Sequence, residues 1–285
     1  MRVTIVMCEG PHDVAFMSRI MHADGYHTYN EVINDYPAFV SKFIKGFIIK
    51  GSLSDLNLKA ARGGLFLPSF SLFKDENLLL LYQLQGDSKK DGRRVIVSDF
   101  DLLFTQSIAV TSGLLTADDS LSVVYVYDAD NKGVGKRINE INSELSEFLN
   151  PDKKMSVVQA GFDYYHGIKY GAYVFHIPDD ADGHGRLEDM VVPLMSQSNS
   201  DIRNDVDILV GRRETRQYGL FSEKSKKKDK DFDTQKATIG IMGQLQKSGS
   251  PNATIIEQSS FITDEQILND KACIEIISFV NASFA

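Results

Sequence analysis

The sequence predicts an α/β fold, a mainly parallel sheet flanked by helices, with an insertion and a helical C-terminal part. Two observations carry this. Short, almost wholly apolar runs rich in β-branched residues recur along the chain, and each passes through a polar turn into apolar residues at helical spacing. Strands buried on both faces and followed by helices belong to parallel sheets. Of the 285 residues, 42% are hydrophobic and 25% charged, the composition of a globular protein rather than a disordered one.

Arg2 to Cys8 is the first such run, ending at Glu9-Gly10-Pro11, after which Val14, Met17, Ile20 and Met21 mark a helix. Pro11 suits the first helical turn, where its missing N–H costs nothing. Asn77 to Leu84 and Arg93 to Val97 read as strands around a polar turn at Gly86 to Gly92, and Asp99 to Leu115 as largely helical. Leu121 to Tyr127 is a further buried strand, Asp128 to Gly135 its turn, and Ile138, Ile141, Leu145 and Phe148 the stripe of the next helix. Gly171 to Ile177 reads as a third strand of this kind. The turn Pro178 to Gly183 and a helix holding Leu187, Met190, Val191 and Leu194 come after it. Beyond about residue 197 the chain turns polar, with a charged loop over roughly 212–233, then helices near 234–247 and 269–281.

Bulk properties exclude several functions. The opening apolar run is too short for a signal peptide, and none approaches the roughly 18 residues of a membrane span, so a cytoplasmic protein without membrane contact is expected. Two cysteines and six scattered histidines offer no structural zinc site. A net charge of −8 argues against a broad cationic surface for nucleic acid. The cluster Lys224 to Lys230 is interleaved with acid and lacks aromatics, which suits a solvated loop. Gly133-Val134-Gly135-Lys136-Arg137 lacks the first glycine and the final Ser or Thr of a Walker loop, although Lys136 and Arg137 are placed to face a substrate phosphate. Arg62-Gly63-Gly64 is a weaker turn of the same sort.

Ligands of open α/β sheets bind at the carboxyl ends of the strands, where Glu9, Asp128 and Asp130 all fall. Asp128-Ala129-Asp130 can aim two oxygens at one hard cation, and Mg²⁺ favours such carboxylates with water and phosphate. The bland alternative is that these acids form turns or cap a helix, Asp130 before Val134 in particular. If the three converge without a cation, their repulsion should raise at least one pKa.

The segments Glu9-Gly10-Pro11-His12-Asp13-Val14-Ala15-Phe16 and Val126-Tyr127-Asp128-Ala129-Asp130 resemble the two signature motifs of the Toprim domain, a strand-end Glu-Gly and a later Asp-x-Asp. The flavour is that of OLD-family nucleases and the small Toprim-like proteins related to them. Pro178-Asp179-Asp180 and Gly185-Arg186-Leu187-Glu188-Asp189 match a later pattern of those small proteins. The resemblance covers roughly residues 1–26 and 78–196. It implies a Toprim-like (Rossmann-like) domain over 1–196 with an insertion at about 27–76; the residue pattern adds, over 197–285, a polar loop and helices expected to pack on the same domain.

For chemistry, the resemblance implies that Asp128 and Asp130 bind Mg²⁺ or Mn²⁺, while Glu9 joins the metal shell or acts as general acid/base at a phosphodiester. Glu188 and Asp189 are candidates for a second metal or for orienting the first, against their reading as acids of a helix first turn. Topoisomerases need a nucleophilic Tyr on a large separate domain, and primases usually bring zinc ligands. What is left is a metal-dependent nuclease on DNA or RNA. Its competitor is a non-catalytic Toprim-like module that holds a metal or nucleotide. The sequence names neither a protein partner nor an oligomeric state.

Overall fold

A computed structural model describes residues 1–47, 67–84, 86, 89–109, 119–216 and 233–285. In chain order the elements are β1 (Arg2–Cys8), α1 (Pro11–Ala23), β2 (His27–Thr28), a 3₁₀ turn (Ile33–Asp35), α2 (Ala38–Phe47), β3 (Phe70–Lys74), β4 (Asn77–Gln83) and α3 (Lys90–Ala109). Then come β5 (Ser120–Asp128), α4 (Val134–Leu149), β6 (Gly161–Tyr165), β7 (Ile168–Phe175), α5 (Glu188–Ser196) and α6 (Ser200–Arg216). The chain ends in α7 (Thr234–Gln244), α8 (Asn252–Gln258), α9 (Asp264–Asn269) and α10 (Lys271–Ala282).

One sheet of order β2-β3-β4-β1-β5-β7-β6 runs through the molecule. Its four central strands, β4, β1, β5 and β7, are parallel, and antiparallel strands close both edges. The α/β class is therefore as the sequence predicts. Residues alternate along β1 in the way a doubly covered strand requires. Val3, Ile5 and Met7 enter a core shared with α2, α3 and α4, while Val6 and Cys8 enter the opposite core with α1, α5, α7, α8 and α10. The helices after residue 197 thus share their core with α1 through Ile239, Met242, Ile255, Ile276 and Val280.

Three differences from the sequence reading have physical causes. Arg93 to Val97 is not a strand but lies inside α3, since Ile96, Val97, Phe100 and Phe104 bury one face at helical spacing and Arg93 pairs with Glu144 of α4 at 2.7 Å. The β-branched run Val95 to Val97 reads as a strand only when the next turn is ignored. Within the span 27–76, expected as an insertion, the described β2 and β3 are part of the sheet itself, adding to the β4 edge by antiparallel pairing. The polar stretch after 197 forms α6, which buries Val206 and Val210. Arg62-Gly63-Gly64, the cluster Lys224 to Lys230 and most of the predicted 212–233 loop lie outside the described residues. No helix among the described residues is long and apolar enough to cross a membrane.

Candidate functional site

The topology makes a crevice between β1 and β5. The chain leaves β1 for α1 on one face of the sheet and leaves β5 for α4 on the other, so the two connections part where adjacent strands end. Such a switch point at the carboxyl edge is where open α/β sheets take ligands. Cys8 pairs in register with Val126, which sets Glu9 level with Tyr127 and one step from Asp128.

Asp128 ends β5, and its Oδ1 accepts from the Leu187 N–H at 2.8 Å, tying the strand end to the start of α5. Asp130 has a left-handed backbone (φ 49°), which Asp tolerates better than most residues. It exchanges backbone hydrogen bonds of 2.7 and 3.1 Å with Gly185. Asp130 does not cap α4: the cap is Gly133. Glu188 is 2% exposed, accepts from His12 Nδ1 at 3.0 Å and lies 3.5 Å from Lys236 Nζ. Its buried Oε2 has no hydrogen-bond partner among the described residues.

One residue of the site was not among those singled out from the sequence, and another was given a different role there. Asp13 is 5% exposed and receives the Gly10 N–H on Oδ2 at 2.6 Å, half of a capping box that folds its carboxylate back toward Glu9. The spacing of three from the Gly10 cap was the available signal. Arg137 is 2% exposed, and its guanidinium reaches the Asp128 carbonyl at 2.9 Å, Asp130 at 3.0 Å, Glu140 at 3.4 Å and Glu9 at 3.8 Å. It does not face a substrate phosphate, contrary to the sequence reading; it is an internal counter-ion, stacked over the Tyr127 ring.

The structure therefore brings Glu9, Asp13, Asp128, Asp130 and Glu188 into one electrostatic neighbourhood. Burial first, then the charges of Glu188, Glu9 and Asp130, push Asp128 up to about 7. Burial and the charges of Asp128, Glu9 and Glu188 raise Asp13 well above the carboxylate range. The upward shift expected of Asp128 has burial as its largest cause and repulsion among the acids as a lesser one, and it extends to Asp13, which the sequence reading did not place in the site. Burial would also raise Glu188, but the His12 hydrogen bond and the Lys236 charge outweigh it and hold Glu188 low. Asp189 stands apart: its oxygens take the Arg186 N–H at 2.9 Å and Gln235 at 2.9 Å, the helix-start role, although it lines a cleft with Asp130.

Among the described residues, no three His, Cys, Asp or Glu side chains are set to grip a metal directly. The guanidinium of Arg137 stands against Asp130 and Glu9 in this conformation. The donor set still fits a hard divalent cation in kind: every donor is an oxygen, Glu188 Oε2 has no hydrogen-bond partner among the described residues, and a cation would offset the burial and neighbouring charges that push Asp128 up.

No curated protein matches the sequence. Among solved structures, the chain is similar to a hypothetical protein from Pyrococcus horikoshii OT3, at 16% identity and a TM-score of 0.55, covering 99% of this chain and 95% of that one. At that identity the likeness shows the fold alone. A family model described as a protein of unknown function, DUF3226, matches residues 3–284, and the chain belongs to that family.

Proposed function

We propose that this protein is a cytoplasmic, Toprim-type phosphodiesterase that cuts DNA or RNA with Mg²⁺ or Mn²⁺, related in chemistry to the OLD-family nucleases. The observation that supports it most is the convergence of Glu9, Asp128 and Asp130, with Asp13 and Glu188 beside them, in the β1–β5 crevice. Five acids in one place cost stability unless a cation or a reaction uses them.

Asp128 and Asp130 are the residues that would hold the metal, with Glu188 on the α5 side. A bound divalent ion supplies charge stabilisation at phosphoryl oxygens. The remaining work belongs to the chain. Glu9, 23% exposed at the end of β1, accepts the proton of an attacking water or returns one to a departing hydroxyl. The Leu187 N–H keeps Asp128 from turning away, and Arg137 steadies the loop through the Asp128 carbonyl and Asp130. Cleavage of labelled single- and double-stranded DNA and RNA, by the parent and by Asp128→Ala/Asp130→Ala, tests the reading. Metal-dependent cutting lost in the variant supports it, and equal cutting by both refutes it.

A second reading rests on Arg137. Because a guanidinium already supplies positive charge to Asp130 and Glu9, the site also suits a non-catalytic module that holds a metal or nucleotide without hydrolysing it. Metal binding without cleavage of any of the four substrates would select it.

A further inference from the structure

Beside the acids lies a cleft of about 420 Å³ whose walls include Asp130, Asn131, Ile177, His184, Arg186 and Asp189. Asp130 belongs to both the cleft and the carboxylate site, so a ligand in the cleft abuts the reacting position. The walls are braced. Asp130 and Gly185 are joined by backbone hydrogen bonds in both directions, Ile177 N–H donates to the His184 carbonyl at 2.7 Å, and Asp189 takes the Arg186 N–H.

Arg186 is the strongest donor in that wall. Its NH1 donates to Asp233 Oδ2 at 2.5 Å, and Asp233 is itself fixed by capping α7 through the Lys236 N–H. The guanidinium is one-third exposed, and its Nε and NH2 donors have no hydrogen-bond partner among the described residues. A guanidinium held on one side with a planar edge left open is built to receive an oxyanion through two parallel hydrogen bonds. His184 adds a polar ring, with Nδ1 set 3.1 Å from Asp180.

The lining also says what part of a ligand would enter. Among the described residues, no aromatic side chain other than the His184 ring faces the cleft and Ile177 is its one large apolar residue, so base stacking finds no platform among them. The volume is that of one small-ligand pocket, near the lower end of a range of roughly 300–1,000 Å³. A duplex is too wide to enter it, whereas one sugar-phosphate unit of a single strand fits.

We propose that this cleft is a phosphate subsite for single-stranded nucleic acid, in which Arg186 binds the phosphodiester next to the one presented to Glu9, Asp128 and Asp130. The proposal deepens the phosphodiesterase reading by naming the substrate class, and rests on it for the identity of the ligand. The probes are fluorescent oligo-dT and oligo-U of about twelve nucleotides and a blunt duplex of equal length, long enough to span several subsites. Anisotropy is read in Ca²⁺ over a salt series for the parent, Arg186→Gln and Arg186→Lys.

The parent should bind both single strands about tenfold more tightly than the duplex. Arg186→Gln should lose about tenfold, with its salt slope shallower by about 0.7 for one lost phosphate contact, and Arg186→Lys should keep the slope because it keeps the charge. Equal binding of strand and duplex, no binding by the parent, or an unchanged slope in Arg186→Gln would overturn the subsite. Cleavage in Mg²⁺ or Mn²⁺ separates the two claims. Arg186-dependent binding without cleavage sinks the phosphodiesterase and leaves the subsite standing, while cleavage with Arg186-indifferent binding does the reverse. A preference for oligo-dT over oligo-U, or the opposite, assigns the strand as DNA or RNA.

Discussion

Replacing Arg137 with Met should destabilise the metal-free protein and enlarge its response to a divalent cation. Methionine keeps an unbranched apolar stem under Tyr127 while removing the guanidinium that reaches the Asp128 carbonyl, Asp130, Glu140 and Glu9. Breaking a fully buried ion pair costs about 3–5 kcal/mol, because the surviving charge stays dehydrated. Asp130 is 42% exposed and Glu140 40%, so both rehydrate and their pairs contribute only ~0–1 kcal/mol each. The donor lost from the Asp128 carbonyl adds about 1–3 kcal/mol. A net loss of about 2–3 kcal/mol is expected. Urea unfolding followed by far-UV circular dichroism measures it, first in EDTA and then with excess Mn²⁺. A cation at a hundredfold excess over its Kd adds about 2.7 kcal/mol to the parent. The increment should be larger in Arg137→Met, whose acids have lost their internal counter-ion. An unchanged midpoint in EDTA would refute the counter-ion role. Equal Mn²⁺ increments in the two proteins would show that arginine and metal do not share these carboxylates.

Three further outcomes follow from the same site. Asp128 titrates at about 7 in the folded chain against an unfolded value near 3.9, so the folded state binds the extra proton between those values and metal-free stability should fall as pH rises from about 4 to about 7. Asp13 acts in the same direction, and Glu188, held low, loses its contribution only in acid below that window. Urea midpoints at pH 5 and pH 8 in EDTA check the sign, and saturating Mn²⁺ should remove the decline because it favours the deprotonated site. Asp128→Asn keeps the acceptor for the Leu187 N–H and removes the charge. It should raise metal-free stability by about 1–2 kcal/mol and abolish the Mn²⁺ shift in melting temperature, with an unaltered shift as the contrary result. Gly185→Ala places a Cβ 2.5 Å from the Ile177 backbone nitrogen at a φ of 137°. It should cost about 2 kcal/mol or more and weaken Mn²⁺ binding by freeing Asp130 from its bridge, and parental stability in thermal melts would refute this.

The strands and turns that position the acids are legible in the sequence because burial on both faces leaves an uninterrupted apolar run, and such a run ends where the chain must turn. Glu9 after β1 and Asp128 at the end of β5 follow from that alone. The region 90–109 shows the limit: Val95 to Val97 is β-branched, and only Phe100 and Phe104, a turn further on, reveal the helical period. Edge strands β2 and β3 are short or half-exposed and carry little pattern of their own. At the site, Asp13 and Arg137 escape a reading by strand ends because helices deliver them, one through a capping contact and one from the first turn of α4. Glu188 and Asp189 are adjacent in sequence yet do different work, since consecutive helical residues face different directions. One turns toward His12 and the acids, the other to the backbone of its own helix start.

Hydrolysis of phosphodiesters in this crevice with a divalent ion, as proposed, is read from the initial rate of cleavage of end-labelled single-stranded DNA and RNA as Mn²⁺ or Mg²⁺ is titrated at constant ionic strength. The parent should show a rate that rises with metal and saturates, while Asp128→Asn, folded and more stable than the parent without metal, should show none. Absence of metal-dependent cleavage by the parent, or an identical metal titration in the variant, would rule out a phosphodiesterase centred on Asp128.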